Sequence, residues 1–189
     1  INFKVKLIIY NNKGNIVKKI DQLIKTNRGY QICLNNYVPL PKKNIETYFV
    51  KLYRSPLNKG FRGSTRPHFF YETTNSMSTL HLQDGERKIN FVNLPVSKNK
   101  DNNMLFIINP SSKDSFITPK LKVTYNGKLE KEEKMKNFKI PSKGSEVIYI
   151  NKVSDINKKY LIQCESTERV KCYFIIADKK YKNISVDHI

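Results

Sequence analysis

Tryptophan is missing from this 189-residue chain, and glycine (7), cysteine (3) and histidine (3) are scarce. Each shortage excludes something. Seven glycines supply neither Gly-x-Gly-x-x-Gly nor a Walker-type run, so no phosphate-cradling loop is expected. The three cysteines form no Cys-x-x-Cys, and His68, His81 and His188 lack metal-ligand spacing, so neither zinc nor any other metal or cofactor is expected. No Gly-x-Ser-x-Gly elbow is present. Gly63-Ser64 comes nearest, in a polar stretch without the strand–turn–helix context that a nucleophile needs. The carboxylates sit among lysines, the pattern of a solvated face, and no catalytic residue is nominated. The expectation is therefore a protein that is not an enzyme.

Long apolar runs are lacking too. The longest, Leu7 to Tyr10 and Met104 to Ile108, are strand-sized and far short of the ~20 residues that cross a bilayer as a helix, so the chain is expected not to span a membrane. Arginine is also sparse: six of the 35 cationic residues, the other 29 being lysine. The net charge of +19 points toward a polyanion such as nucleic acid or an acidic glycan. The shortage of arginine weakens that reading, because bidentate contacts to phosphate and guanine edges lean on guanidinium groups.

What is abundant is a strand-forming vocabulary. Eleven Tyr and ten Phe accompany Ile, Leu and Val in short runs separated by Pro, Gly, Asn and Ser. Residues 3–10 alternate and then run apolar, Asn11 to Asn15 breaks them, and Ile16 to Ile20 resumes, which predicts an opening hairpin. Further strands are expected at 29–34, 45–54, 68–73, 78–83 and 88–94, with a helical turn as an option at 22–26. After them come Met104 to Ile108, Phe116 to Tyr125, Met135 to Ile140, Glu146 to Val153, Tyr160 to Cys164 and Val170 to Ala177. Leu129 to Lys139 is rich in Glu and Lys and competes as a helix, but its apolar content is thin, and a loop leading into a strand is preferred.

The polar run Ser97 to Asn103 reads as a seam. The fold class expected is all-β: two small antiparallel β-sandwich domains, 1–97 and 104–189, joined by a linker at 98–103, the second immunoglobulin-like by its turn cadence. The alternative is a long loop inside one larger sandwich. The chain opens at Ile1 with strand-forming residues and no initiator Met, which fits a processed leader or further chain upstream. A secreted, periplasmic or cell-surface location is the expectation.

Two groups of residues are candidates for function. Lys59 to Tyr71 gathers Arg62, Arg66, His68 and Phe70 in a glycine-containing aromatic stretch that can grip an anion and stack on a planar group; the plainer reading is a loop entering a buried aromatic strand. Cys164 and Cys172 flank Glu165 to Lys171, so a hairpin centred near Glu168 would set them opposite each other as a disulfide, the alternative being two buried reduced thiols. Cys33 is expected to be buried. Lys179 to Lys182 reads as a solvated tail, and Asn183-Ile184-Ser185 matches a glycosylation acceptor.

Ile108-Asn109-Pro110-Ser111, then Phe138-Lys139-Ile140-Pro141-Ser142-Lys143-Gly144-Ser145, then a terminal two-cysteine hairpin, together resemble the second domain of periplasmic pilus-assembly chaperones. That resemblance implies two immunoglobulin-like domains that hold a partner subunit by donating a β-strand. The first half departs from the family. Leu52-Tyr53-Arg54-Ser55-Pro56 echoes its inter-domain strand at a different distance, its paired basic anchors have no assigned counterpart, and no functional residue is carried over. The expected partners are thus other protein subunits, engaged through strand edges or loops, with a polyanion as the alternative.

Overall fold

The computed structural model describes residues 2–25, 30–38, 47–54, 68–72, 77–81, 86–94, 102–150 and 157–188. Among them the chain is all-β, as its strand rhythm predicts. Thirteen strands, β1 to β13, are accompanied by one 3-10 turn at Leu34–Asn36.

The opening hairpin forms as expected. β1 (Asn2–Asn11) pairs antiparallel with β2 (Ile16–Lys25) on one side and β3 (Tyr48–Arg54) on the other. The optional helical turn at 22–26 is overruled, because Gln22 to Lys25 continue the ladder opposite Val5 to Asn2. The strand expected at 29–34 is also corrected. Tyr30 to Cys33 are not in a strand, and Cys33, far from being buried, is exposed where it leads into the 3-10 turn. β4 (His68–Glu72) and β5 (Met77–His81) form a separate antiparallel pair.

The remaining strands belong to one sheet organised by β12 (Lys159–Ala177), nineteen residues long. Two separate strands were expected here, joined by a hairpin near Glu168. Instead the segment is one continuous strand whose register shifts between Glu165 and Val170. Its first half lies between β6 (Arg87–Leu94) and β8 (Ser115–Tyr125). Its second half lies between β7 (Asn102–Ile108) and β13 (Ile184–His188). β11 (Ser145–Tyr149) adds to β7, while β9 (Lys128–Lys134) and β10 (Phe138–Ile140) share the far edge of β8.

Inward residues from both halves of β12 and their neighbours fall in a single core. Val92, Leu94, Ile117, Leu121 and Ile162 from the first face pack with Leu105, Ile107, Val170 and Phe174 from the second. The strand therefore turns over on itself at the register shift, as strands that cross between packed faces do at bulges.

The second face is buried on both sides. Leu105, Ile107, Cys172 and Phe174 enter that core, while the alternate residues Phe106, Ile108, Tyr173 and Ile175 join Tyr10 and Phe49 of the opening sheet and Val186 of β13. Burial on both faces explains why Met104 to Ile108 and Tyr173 to Ile176 read as unbroken apolar runs. β8, solvated on one side, alternates cleanly instead.

β6 closes the stretch expected to form the first domain, yet it is hydrogen-bonded to β12 and sends Val92 and Leu94 into the common core. Of the expected linker, 98–101 lie outside the described residues. Asn102 and Asn103 already belong to β7, with Asn103 buried.

Pro119 sits within β8 without breaking it. It falls between the β10 ladder, which ends at Ile117, and the β9 ladder, which begins at Lys120, and its carbonyl accepts the Met135 N–H at 3.0 Å. Its missing donor thus coincides with a change of partner.

Asn109 ties the turns together. Fully buried, it directs its side-chain amide at the carbonyls of Lys113 (2.8 Å), Ile140 (3.2 Å) and Pro141 (3.0 Å), while its Oδ1 accepts from the Ser111 N–H at 3.1 Å. Asp114 fixes the same turn from outside, accepting from Ser142 N–H at 2.9 Å and Lys139 Nζ at 3.1 Å. The opening hairpin docks on this platform. Ser145 N–H donates to the Asn12 carbonyl at 3.1 Å, and Gly14, at φ +83°, lies so close that an added Cβ would stand 1.9 Å from the Ser142 carbonyl oxygen.

Two outcomes follow from that platform. Gly14→Ala suffers both a disfavoured φ and a backbone collision, and should cost about 3 kcal/mol. Thermal unfolding should then fall by roughly 6–12 °C; an unchanged melting temperature would show that the docking is not needed. The Ser142 N–H, and secondarily Lys139, holds the Asp114 carboxyl below its ordinary range. A carboxylate lowered on folding contributes stability above its unfolded pKa and loses it as pH falls through the folded value. Asp114→Asn should therefore flatten the acid limb of stability against pH while leaving the alkaline limb unaltered.

Candidate functional site

Arg62 and Arg66 lie outside the described residues. His68 and Phe70 fall on β4, where the backbone register pairs His68 with His81 and Phe70 with Thr79. The stretch is a strand from His68 to Glu72.

Cys164 and Cys172 are both free and both buried, in the same core and on the same strand. Cys164 stands opposite Asn90 and Pro119, and Cys172 opposite Ile107, so one belongs to each face. Their thiols are hydrogen-bonded to each other; that contact, followed by burial, pushes the Cys172 thiol well up. They meet because β12 turns over, not because a hairpin brings two strands together.

The surface best suited to another chain is one that strand rhythm did not single out. β6 has β12 as its hydrogen-bonded neighbour among the described residues, which leaves its other edge at the margin of the sheet. Along β6, Asn90, Val92 and Leu94 are buried, while Ile89, Phe91 and Asn93 point outward. Ile89 and Phe91 are 49% and 48% exposed, and standing two residues apart they form neighbouring apolar projections on one side of the strand.

Other margins differ. β2 directs Lys18, Lys19, Asp21 and Lys25 to solvent, and β9 is charged along most of its length, the usual way of blunting an edge against pairing. β6 has no charge among its outward positions from Ile89 to Asn93.

Behind the two apolar side chains lies a fixed polar row. Ile89 is opposite Glu165 and Phe91 opposite Gln163. Glu165 accepts from Lys120 Nζ and from Gln163 Nε2, both at 2.8 Å. The bond from Lys120 is the main cause that lowers the Glu165 carboxyl, and the bond to Glu165 the main cause that raises Lys120. On the next strands Lys122 approaches Glu132 at 3.5 Å. Lysines on this face are therefore partly neutralised within the protein, which leaves fewer of them for an external polyanion. Among the described residues no cluster of His, Cys, Asp and Glu can hold a metal ion. Among the same residues no helix is long and apolar enough to cross a membrane.

Since Ile89 and Phe91 project from the sheet without filling the core, replacing both with Thr should shift the melting temperature by no more than ~2 °C. A drop of 10 °C or more would mean that they are packed, and would remove the surface from consideration.

No family model matches the chain, and no curated protein matches it. A solved structure described as "Crystal Structure of Thermotoga maritima 1070" aligns with 56% of this chain and 94% of its own, at 16% identity and a TM-score of 0.43. A likeness at that level bears on neither fold nor function.

Proposed function

We propose that the chain is a non-enzymatic protein-binding module that engages another polypeptide by strand addition along β6. The observation that carries this reading is the conjunction of a sheet margin with two adjacent outward apolar side chains, Ile89 and Phe91, on the strand that forms it. Backbone groups at such a margin supply hydrogen bonds to an incoming strand, and alternate side chains supply selectivity. Asn90, Val92 and Leu94 hold β6 against the core, so the receiving strand is already ordered and less entropy is lost on binding.

A location outside the cytoplasm belongs to the same proposal, as do the sandwich-like character of 1–97 and the immunoglobulin-like character of 104–189. The chaperone resemblance, which loses its two-cysteine hairpin to the single strand β12 but retains the segments at 108–111 and 138–145, points to the same mode of binding, since that family also works through strand pairing.

Polyanion binding is the competing reading, favoured by the net charge of +19. The two readings differ in their response to salt and to β6. Protein purified from its native source should carry a stoichiometric protein partner that resists 0.5 M salt and is lost in a double variant, Ile89→Lys with Phe91→Lys. Those substitutions add positive charge, so binding to heparin or single-stranded DNA should be retained or strengthened. If the partner survives both substitutions, strand addition at β6 is wrong. If the bound material is nucleic acid or glycan whose affinity falls steeply and log–log with salt, the polyanion reading replaces it.

A further inference from the structure

The two buried thiols at the turn of β12 are not used by the binding surface, and their placement has a consequence of its own. Cys164 is inward on the half of β12 that pairs with β6 and β8, and Cys172 is inward on the half that pairs with β7 and β13. The register shift between Glu165 and Val170 lies between them. Both side chains enter the same core, Cys164 fully buried and Cys172 nearly so, and their sulfurs are in hydrogen-bonding contact. The third cysteine, Cys33, is exposed on a separate turn.

We infer that Cys164 and Cys172 close a reversible disulfide across the turn of β12, pinning its two halves and hence the two faces of the core. A pair that needed only small apolar filling could be built from Ala or Val. Two thiols that meet in one core from opposite faces of the same strand instead bring both reacting groups to one point, the first requirement of a disulfide.

The oxidant is a small-molecule disulfide, of which oxidised glutathione is the type. One protein thiolate attacks it, breaking the reagent's S–S bond, forming a mixed disulfide and releasing one reduced thiol. The second protein thiolate then attacks the mixed disulfide, forming the Cys164–Cys172 bond and releasing the second thiol. Two electrons pass to the reagent, and the two protons lost by the protein thiols end on the two released thiols. Because both thiols are buried, and the contact with Cys164 followed by burial pushes the Cys172 thiol up, closure waits on transient opening of β12 and is slower than reaction at exposed Cys33.

The experiment uses the full chain carrying Cys33→Ser, which leaves the core untouched. Incubation with oxidised glutathione should take the thiol count from two to zero, lower the mass by about 2 Da without a retained glutathione adduct, and join the peptides bearing residues 164 and 172. The melting temperature should rise by about 5 °C and return when dithiothreitol is added. Cys172→Ala in the same background should stop at the mixed disulfide on Cys164. Two thiols that persist through transient exposure in sub-denaturing urea would overturn the inference, as would stable glutathione adducts on both residues. Closure accompanied by a fall in melting temperature would overturn it equally, because the bond would then be distorting the faces it is said to pin. None of these readouts involves β6 binding a partner, so the outcome is independent of the function proposed above.

Discussion

Almost everything in the larger sheet depends on one strand being shared. β12 gives its first half to β6 and β8 and its second half to β7 and β13, and the inward residues of both halves meet in one core. A strand that serves two faces removes the need for a separate crossover and fixes the faces relative to each other by covalent continuity. The requirement falls on the register shift between Glu165 and Val170, where the ladder must be interrupted without leaving polar groups bare. Side chains meet that requirement. Ser115 Oγ accepts the Glu168 N–H at 3.2 Å, Thr167 Oγ1 accepts the Phe116 N–H at 3.0 Å, and Ser111 donates its hydroxyl to Glu168 at 3.0 Å. Hydroxyl residues at the turn thus do what backbone partners do along the straight parts of the strand.

The opening sheet is joined to this core by two unlike contacts. One is apolar: Tyr10 and Phe49 stack at 5.7 Å between ring centroids and pack with Ile108, Tyr173 and Val186. The other is a close approach of backbones, the hairpin tip against the turn at 141–144, which Asn109 and Asp114 hold in place. Apolar burial supplies affinity without direction, whereas the backbone contact sets position. Together they bring a third layer onto the second face, and that layer is what makes the face apolar on both sides. The composition of β7 follows from the opening sheet, distant in sequence, as much as from its own partners.

Much of this was legible from the residues, and the failures have physical causes. All-β class, the opening hairpin and most strand positions follow from short Ile, Val, Tyr and Phe runs between turn residues. β9 was missed because Lys128 to Lys134 has helix-forming Glu and Lys and almost no apolar content. It is a strand because β8 offers a ladder and because Lys122 and Glu132 pair across it, so tertiary context outweighs local propensity. β12 was read as two strands because Glu165 to Arg169 looks like a turn, and nothing local distinguishes a turn that reverses the chain from one that lets it carry on into a second face. Tyr30 to Leu34 has strand-like composition but no strand partner among the described residues. β13 escaped notice behind Lys179 to Lys182, whose turn is closed by Asp178 accepting from the Lys180 and Lys182 N–H groups. The β6 surface had a visible signal, Ile89 and Phe91 alternating with Asn90 and Val92. Which of the two sets faces inward is decided by β12, seventy residues later.

That dependence joins the core to the margin. Cys164 is the residue opposite Asn90, and Asn90 lies between the two outward side chains Ile89 and Phe91. Arg87, at the start of β6, pairs with Val170 beyond the register shift, so β6 is attached on both sides of the turn in β12. The angle at which β12 turns is therefore passed directly to the strand that carries the exposed apolar pair, with no intervening element. In a close-packed interior a change of that angle is met by discrete repacking and not by gradual flexing. Cys164 and Cys172 flank that turn, and Cys164 stands opposite Asn90 of β6, so a bond between the two thiols would act one strand away from the exposed apolar pair.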